Sequence, residues 1–193
     1  MVVFTLKLYL VSEMVYNYKE ILEKYKSDYS LKKALDNKEV YKIENGLYSD
    51  YPNISFLKII TKKYPYAIIS GMSAYYFYGL TNVIPEKITV CTGRNSTYIN
   101  NDEIKQIRMI DKLYKLGIVK FDYVGTSINI YNKERLLIDL ARNKNRMGYD
   151  LYKEIVSNYR KIVDELDMSL IEDYLNYFND GNRIYQILMS EVF

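Results

Sequence analysis

The chain has 193 residues, 49% apolar and 26% charged, with a formal net charge of +3. That suits one large domain or two small ones, each with a real core. The absences exclude more. With no His and a single Cys, Cys91, the commonest general base, an internal disulfide and a cysteine-based zinc site are all missing. No cofactor and no metal are expected, and the lone cysteine points to a reducing, cytoplasmic setting.

The charge is unevenly spread. Residues 1–55 hold 8 Lys and 8 acids, residues 56–146 carry a surplus of 8 positive charges, and residues 147–193 a deficit of 5. A basic middle could add a phosphate-binding term, or be an ordinary solvated surface. The 23 tyrosines at helical spacing are read mainly as core.

Residues 1–14, MVVFTLKLYLVSEM, are apolar but short and broken by Lys7. They are expected to be neither a signal peptide nor a membrane span but a first helix over residues 2–13, packed on the module that follows. Asn17 can cap the next helix, with Glu20 in capping-box position. Ile21, Leu22 and Tyr25 supply its buried side, and Lys26 is the link. Ser27 caps a third helix to about Asn37, with Asp28 in its first turn. Leu31, Ala34 and Leu35 face inward, which leaves Tyr29, Ser30, Lys32 and Lys33 outside. Val40, Tyr41 and Ile43 then form a strand. Asn45-Gly46 signals a hairpin whose turn positions both favour φ > 0, and Leu47-Tyr48 begin the return.

Helix, turn, helix, hairpin is the order of a winged helix-turn-helix, whose second helix can enter a DNA major groove. On that reading the candidate DNA-binding residues are Ser27, Tyr29, Ser30, Lys32 and Lys33 on the recognition helix, with Lys42 and Asn45 on the wing. The expected domains are 1–51, a winged helix-turn-helix, and 52–193, an α/β domain with a helical C-terminal tail. The fold class is α+β.

Beyond Pro52, Asn53 or Ser55 starts a helix to about Lys63. Ala67-Ile68-Ile69 is a short apolar run. Ser70 or Gly71 opens a compact helix that Gly79 closes. Strands are expected over 86–90, 107–110, 117–124 and 127–131. Asn132 caps a helix holding Arg135 and Asp139, spaced as an i,i+4 pair worth a few tenths of a kcal/mol. Residues 142–148 read as a basic, flexible connection, and the rest as helices. Cys91 is expected to be a small buried hydrophobe.

Three stretches carry a resemblance: NGLYSD (residues 45–50), AIISGMSAYYFYGLTNVIPEKITV (67–90) and INIYNKERLLIDLAR (128–142). In order and spacing they resemble the AbiEi-like antitoxins of the AbiE abortive-infection systems. The resemblance implies a cytoplasmic autorepressor that binds double-stranded DNA at inverted repeats in its own promoter; with zero net charge over residues 1–55 and no wing Arg, affinity is expected to need the basic middle, a dimer on paired half-sites, or both. The resemblance also implies that the chain counteracts a cognate nucleotidyltransferase toxin. Two positions depart from the family pattern. Asn45 stands where a wing Arg is usual, and Lys38 where a Gly follows the recognition helix.

The competing reading is a catalytically degenerate nucleotidyltransferase-like module for protein interaction, without sequence-specific DNA binding. Ser70-Gly71 and Ser73 before a strand fit such a core. The strand Glu86-Lys87-Ile88-Thr89-Val90, however, has no paired carboxylates to hold Mg²⁺, so an active transferase is not expected.

Overall fold

The computed structural model describes residues 14–193. The helix expected over residues 2–13 lies outside the described residues. The described chain is mixed α+β, with one three-stranded and one five-stranded sheet. It divides into two compact units, the first ending at Pro65 and the second running Tyr66–Phe193. No helix among the described residues is long and apolar enough to cross a membrane.

The first unit runs β1 (Val15–Asn17), α1 (Tyr18–Tyr25), α2 (Asp28–Asp36), β2 (Tyr41–Glu44), β3 (Leu47–Ser49) and α3 (Phe56–Lys63). Local chemistry sets the helix starts. The Asn17 side chain accepts from the Glu20 N–H while the Glu20 carboxylate accepts from the Asn17 N–H, a complete capping box. Ser27 and Ser55 cap α2 and α3 by the first half of that arrangement alone, their hydroxyls accepting from the Ser30 and Lys58 N–H. Ile21, Leu31, Ala34, Val40 and Tyr48 form the core, and the sheet order is β1-β3-β2. Strand β1 is an element that the sequence periodicity did not announce.

Two expectations need correction here. The boundary falls at Pro65, not near Tyr51, because α3 packs on β1 and its lysines reach back. Lys62 pairs with Glu20 of α1 at 2.5 Å, and Lys63 with Glu44 of β2 at 2.5 Å. The β2–β3 turn has a left-handed φ only at Gly46 (+79°), not at Asn45. A register shift between Lys42 and Glu44 bulges β2, and the bulge supplies the twist that a second left-handed residue would have supplied.

The second unit contains β4 (Ile68–Ile69), α4 (Gly71–Phe77), β5 (Ile88–Gly93), β6 (Ile104–Met109), α5 (Asp111–Tyr114), β7 (Ile118–Tyr123), β8 (Thr126–Tyr131), α6 (Lys133–Arg142), α7 (Tyr149–Lys161), α8 (Met168–Leu175) and α9 (Gly181–Glu191). The sheet order is β6-β5-β4-β8-β7, with β4–β8 and β5–β6 parallel. Strands β5 and β6 are displaced from their expected ranges, and α5 was not foreseen. Asn132 caps α6 as expected. Ser70 does not cap α4: its hydroxyl is buried and finds no partner among the described residues. Its neighbour Ser73 instead accepts from the Thr89 N–H at 2.8 Å, tying α4 to β5.

The helical tail is not an appendage. Tyr159, Ile171 and Ile184 are fully buried, and α8 and α9 both pack on α6. At the centre lies Arg135, with no exposure at all. Its guanidinium donates to Asp139 at 3.2 Å and to the carbonyls of Leu113 and Leu116, and it sits over the rings of Tyr131 and Phe178. The i,i+4 pair expected to be worth a few tenths of a kcal/mol is therefore a buried one. Burial pushes the Asp139 carboxyl above the ordinary aspartate range, against the pull of Arg135 and Arg142. Residues 142–148 are not a free connection either. Arg142 stands 3.6 Å from Asp139 and 3.8 Å from Asp180, Lys144 pairs with Glu191, and Lys144–Arg146 is a 3₁₀ turn. Cys91 is fully buried in β5, and burial lifts its thiol to about 11.

Asp139→Ala should lower the stability of the second unit by about 3–5 kcal/mol in a denaturant titration, because it strands a buried guanidinium. In the first unit, the Lys62 ammonium holds the Glu20 carboxyl below the ordinary glutamate range. The resulting stabilisation is fully present above the ordinary glutamate pKa and is lost as pH falls through the lowered folded value. Lys62→Met should therefore reduce stability near neutral pH and flatten its decline into acid, as read by thermal melts across pH.

Candidate nucleic-acid interface

The candidate residues fall on two elements of the first unit. Ser27, Tyr29, Ser30, Lys32 and Lys33 belong to α2 and its cap, while Lys42 and Asn45 lie on the β2–β3 hairpin. Leu31 and Ala34 turn into the core, and helical periodicity then leaves Asp28, Tyr29, Lys32, Lys33 and Asp36 exposed on the opposite side. Tyr29 is 79% exposed, unusual for a ring of that size. Lys32, Lys33, Lys42 and Asn45 are exposed, and the three lysines form no ion pair among the described residues. Ser30 is half-buried. Its hydroxyl bonds that of Ser27, and the Ser27 hydroxyl already accepts from the Ser30 N–H. The two serines are thus engaged with each other as a cap, while Tyr29 and the lysines present open donors.

Charge on this face is balanced. Asp28 and Asp36 flank Lys32 and Lys33, and Asp28 accepts from the Tyr18 hydroxyl at 2.6 Å. Across the first unit, Glu20, Glu44 and Asp50 absorb Lys62, Lys63 and Lys24. Lys19, Lys26, Lys32, Lys33, Lys38 and Lys42 remain without an ion pair among the described residues. With the boundary at Pro65, the three lysines of α3 count with this unit, whose formal charge becomes +3 while the second unit is neutral. The basic residues 133–144 of the second unit pair largely with its own acidic tail, as Lys133 does with Glu165.

Two lysines, read in the sequence only as the link (Lys26) and as a departure from a family glycine (Lys38), were not among the candidate contacts. Lys26 and Lys38 end α1 and α2 with left-handed backbones, φ 64° and 59°, where glycine is the usual residue. The Lys38 N–H donates to the Leu35 carbonyl and the Glu39 N–H to the Ala34 carbonyl, the paired bonds of a Schellman ending. Helix α2 therefore ends as a glycine would end it, although Lys38 carries a Cβ. The signal was present in the missing glycine but could not say which way the backbone would go.

No protein-family model matches the chain, and no curated protein does. Among solved structures, the chain is similar to the RV2827C protein from Mycobacterium tuberculosis, at 13% identity and a TM-score of 0.64. The match covers 92% of this chain and 72% of that one. At that identity the likeness concerns the fold alone.

Lys38→Gly should raise the stability of the first unit by up to about 1 kcal/mol in chemical denaturation, since relief of the left-handed steric cost outweighs the added entropy of the unfolded chain.

Proposed function

We propose that the chain is a DNA-binding antitoxin and autorepressor: the first unit acts as a winged helix-turn-helix, and the chain counteracts a nucleotidyltransferase toxin. The observation that carries the DNA half is the outward face of α2. There Tyr29, Lys32 and Lys33 stand exposed, the lysines with no ion pair among the described residues, on the second helix of a helix–turn–helix–hairpin unit. Lysine supplies charge to phosphate, and the Tyr29 hydroxyl and ring can address a base edge or sugar. Lys42 and Asn45 would make the wing contacts, with Lys26 and Lys38 adding charge at the helix ends. The balanced charge of the α2 face favours a modest affinity for one copy, raised when two copies occupy an inverted repeat. The antitoxin half, and with it the cytoplasmic setting, rests on the resemblance of residues 67–90 and 128–142.

Against the degenerate-transferase alternative, the resemblance also covers the first unit, which that reading leaves without a task.

The test is a gel shift with the DNA upstream of the chain's own gene across a salt series. A sequence-specific shift is expected. The double variant Lys32→Ala, Lys33→Ala should weaken it and reduce the salt slope by about 2. No specific shift at low salt overturns the repressor reading. Co-expression with the adjacent gene tests the antitoxin half separately: a product of that gene that slows growth and is neutralised by this chain is expected, and failure of rescue overturns it.

A further inference from the structure

Strand β7 lies at the edge of the five-stranded sheet, bonded to β8 on one side and to no strand on the other among the described residues. Its outer edge can be read atom by atom. Val124 and Gly125, with φ of 49° and 71°, make a two-residue turn between Tyr123 and Thr126. Such a turn closes on a pair that exchanges both hydrogen bonds, and pairs alternate from there. Tyr123, Phe121 and Val119 therefore spend their N–H and C=O groups on β8, while Asp122, Lys120 and Ile118 turn theirs outward.

We infer that this edge pairs with β7 of a second copy of the chain, antiparallel about a two-fold axis centred on Phe121. The charges select the register. Only outward-turned residues can face one another across the new ladder. Setting Lys120 opposite Lys120, or Asp122 opposite Asp122, places like charges together. Of the registers that pair five residues of β7, one avoids both: Lys120 faces Asp122 of the other copy, twice by symmetry, and Phe121 faces Phe121. The same register puts Val119 opposite Tyr123 and brings Ile118 beside Val124, which is 86% exposed. The face is already aromatic. Phe121 packs on Tyr78 with centroids 4.8 Å apart, and Tyr123 stacks on Phe77 at 4.1 Å.

A lone lysine on an edge strand guards it against pairing. A lysine with an aspartate two residues on, about an aromatic centre, is instead complementary to its own reverse. The far edge shows the contrast. The exposed charges of β6 are Lys105 and Arg108, both positive, so two copies of that strand would repel. The β7 contact is isologous and closes at two copies, leaving no further edge of the same kind. It is independent of DNA binding.

The test is sedimentation equilibrium of the full chain without DNA, with folding checked by circular dichroism. The wild-type chain should show a concentration-dependent dimer. Lys120→Glu sets Glu against Asp and should be monomeric. Lys120→Pro should be monomeric too, because it removes an outward N–H while leaving the β7–β8 ladder intact. Asp122→Lys should be monomeric alone and form a mixed dimer with Lys120→Glu. A wild-type chain that stays monomeric at every concentration overturns the proposal. So does a dimer that survives both Lys120 variants. A mixture of the two charge variants that stays monomeric overturns the register.

Discussion

A guanidinium taken wholly out of water has to find its acceptors inside the protein, and few side chains constrain their surroundings so tightly. Arg135 meets that demand with a carboxylate on its own helix, one carbonyl of α5, one of the α5–β7 connection and two aromatic faces. Each partner comes from a different part of the second unit. The Leu113 and Leu116 carbonyls fix the approach to β7, Tyr131 fixes the end of β8, and Phe178 fixes the α8–α9 corner. Gly117 belongs to the same arrangement: a Cβ there would lie 2.7 Å from the Arg135 Cβ, so only glycine lets the chain pass. A buried ion pair of this kind is weak evidence for net stability. It does specify one arrangement of the elements around it, since any other leaves a charge unmet.

What could be read from the sequence was local. Asn17, Ser27 and Asn132 announced their helices because a cap acts on the next turn and needs nothing from elsewhere. Asn45-Gly46 announced a hairpin for the same reason, whereas Val124, expected inside a strand, turned out to be half of the β7–β8 turn. The long-range facts were not legible. Arg135 and Asp139 carry an i,i+4 spacing that looks the same on a wet surface and in a dry core. The lysines of α3 looked like part of a basic middle region until Lys62 and Lys63 were seen against Glu20 and Glu44. Of the candidate interface, the exposure of Tyr29, Lys32 and Lys33 followed from periodicity. The left-handed turns at Lys26 and Lys38 did not, because lysine gives no hint of that conformation.

The uneven charge along the chain has a structural sense that its net value hides. In the second unit, cations from residues 133–144 meet anions from the tail, as in Lys133–Glu165, Arg142–Asp180 and Lys144–Glu191. Sequence asymmetry thus becomes attraction between segments of one unit, and much of the apparent polyelectrolyte character disappears on folding. In the first unit the opposite holds. Its acids pair with Lys24, Lys62 and Lys63, and Lys32, Lys33 and Lys42 form no ion pair among the described residues.

Cys91 has a practical consequence. Its sulfur is fully enclosed in the middle of the sheet, and burial keeps it protonated where a free thiol would begin to ionise. A thiol reagent can reach it only when the strands around β5 part. The chain therefore carries one chemical clock, and its labelling rate measures how often the second unit opens, with no background from any other sulfhydryl.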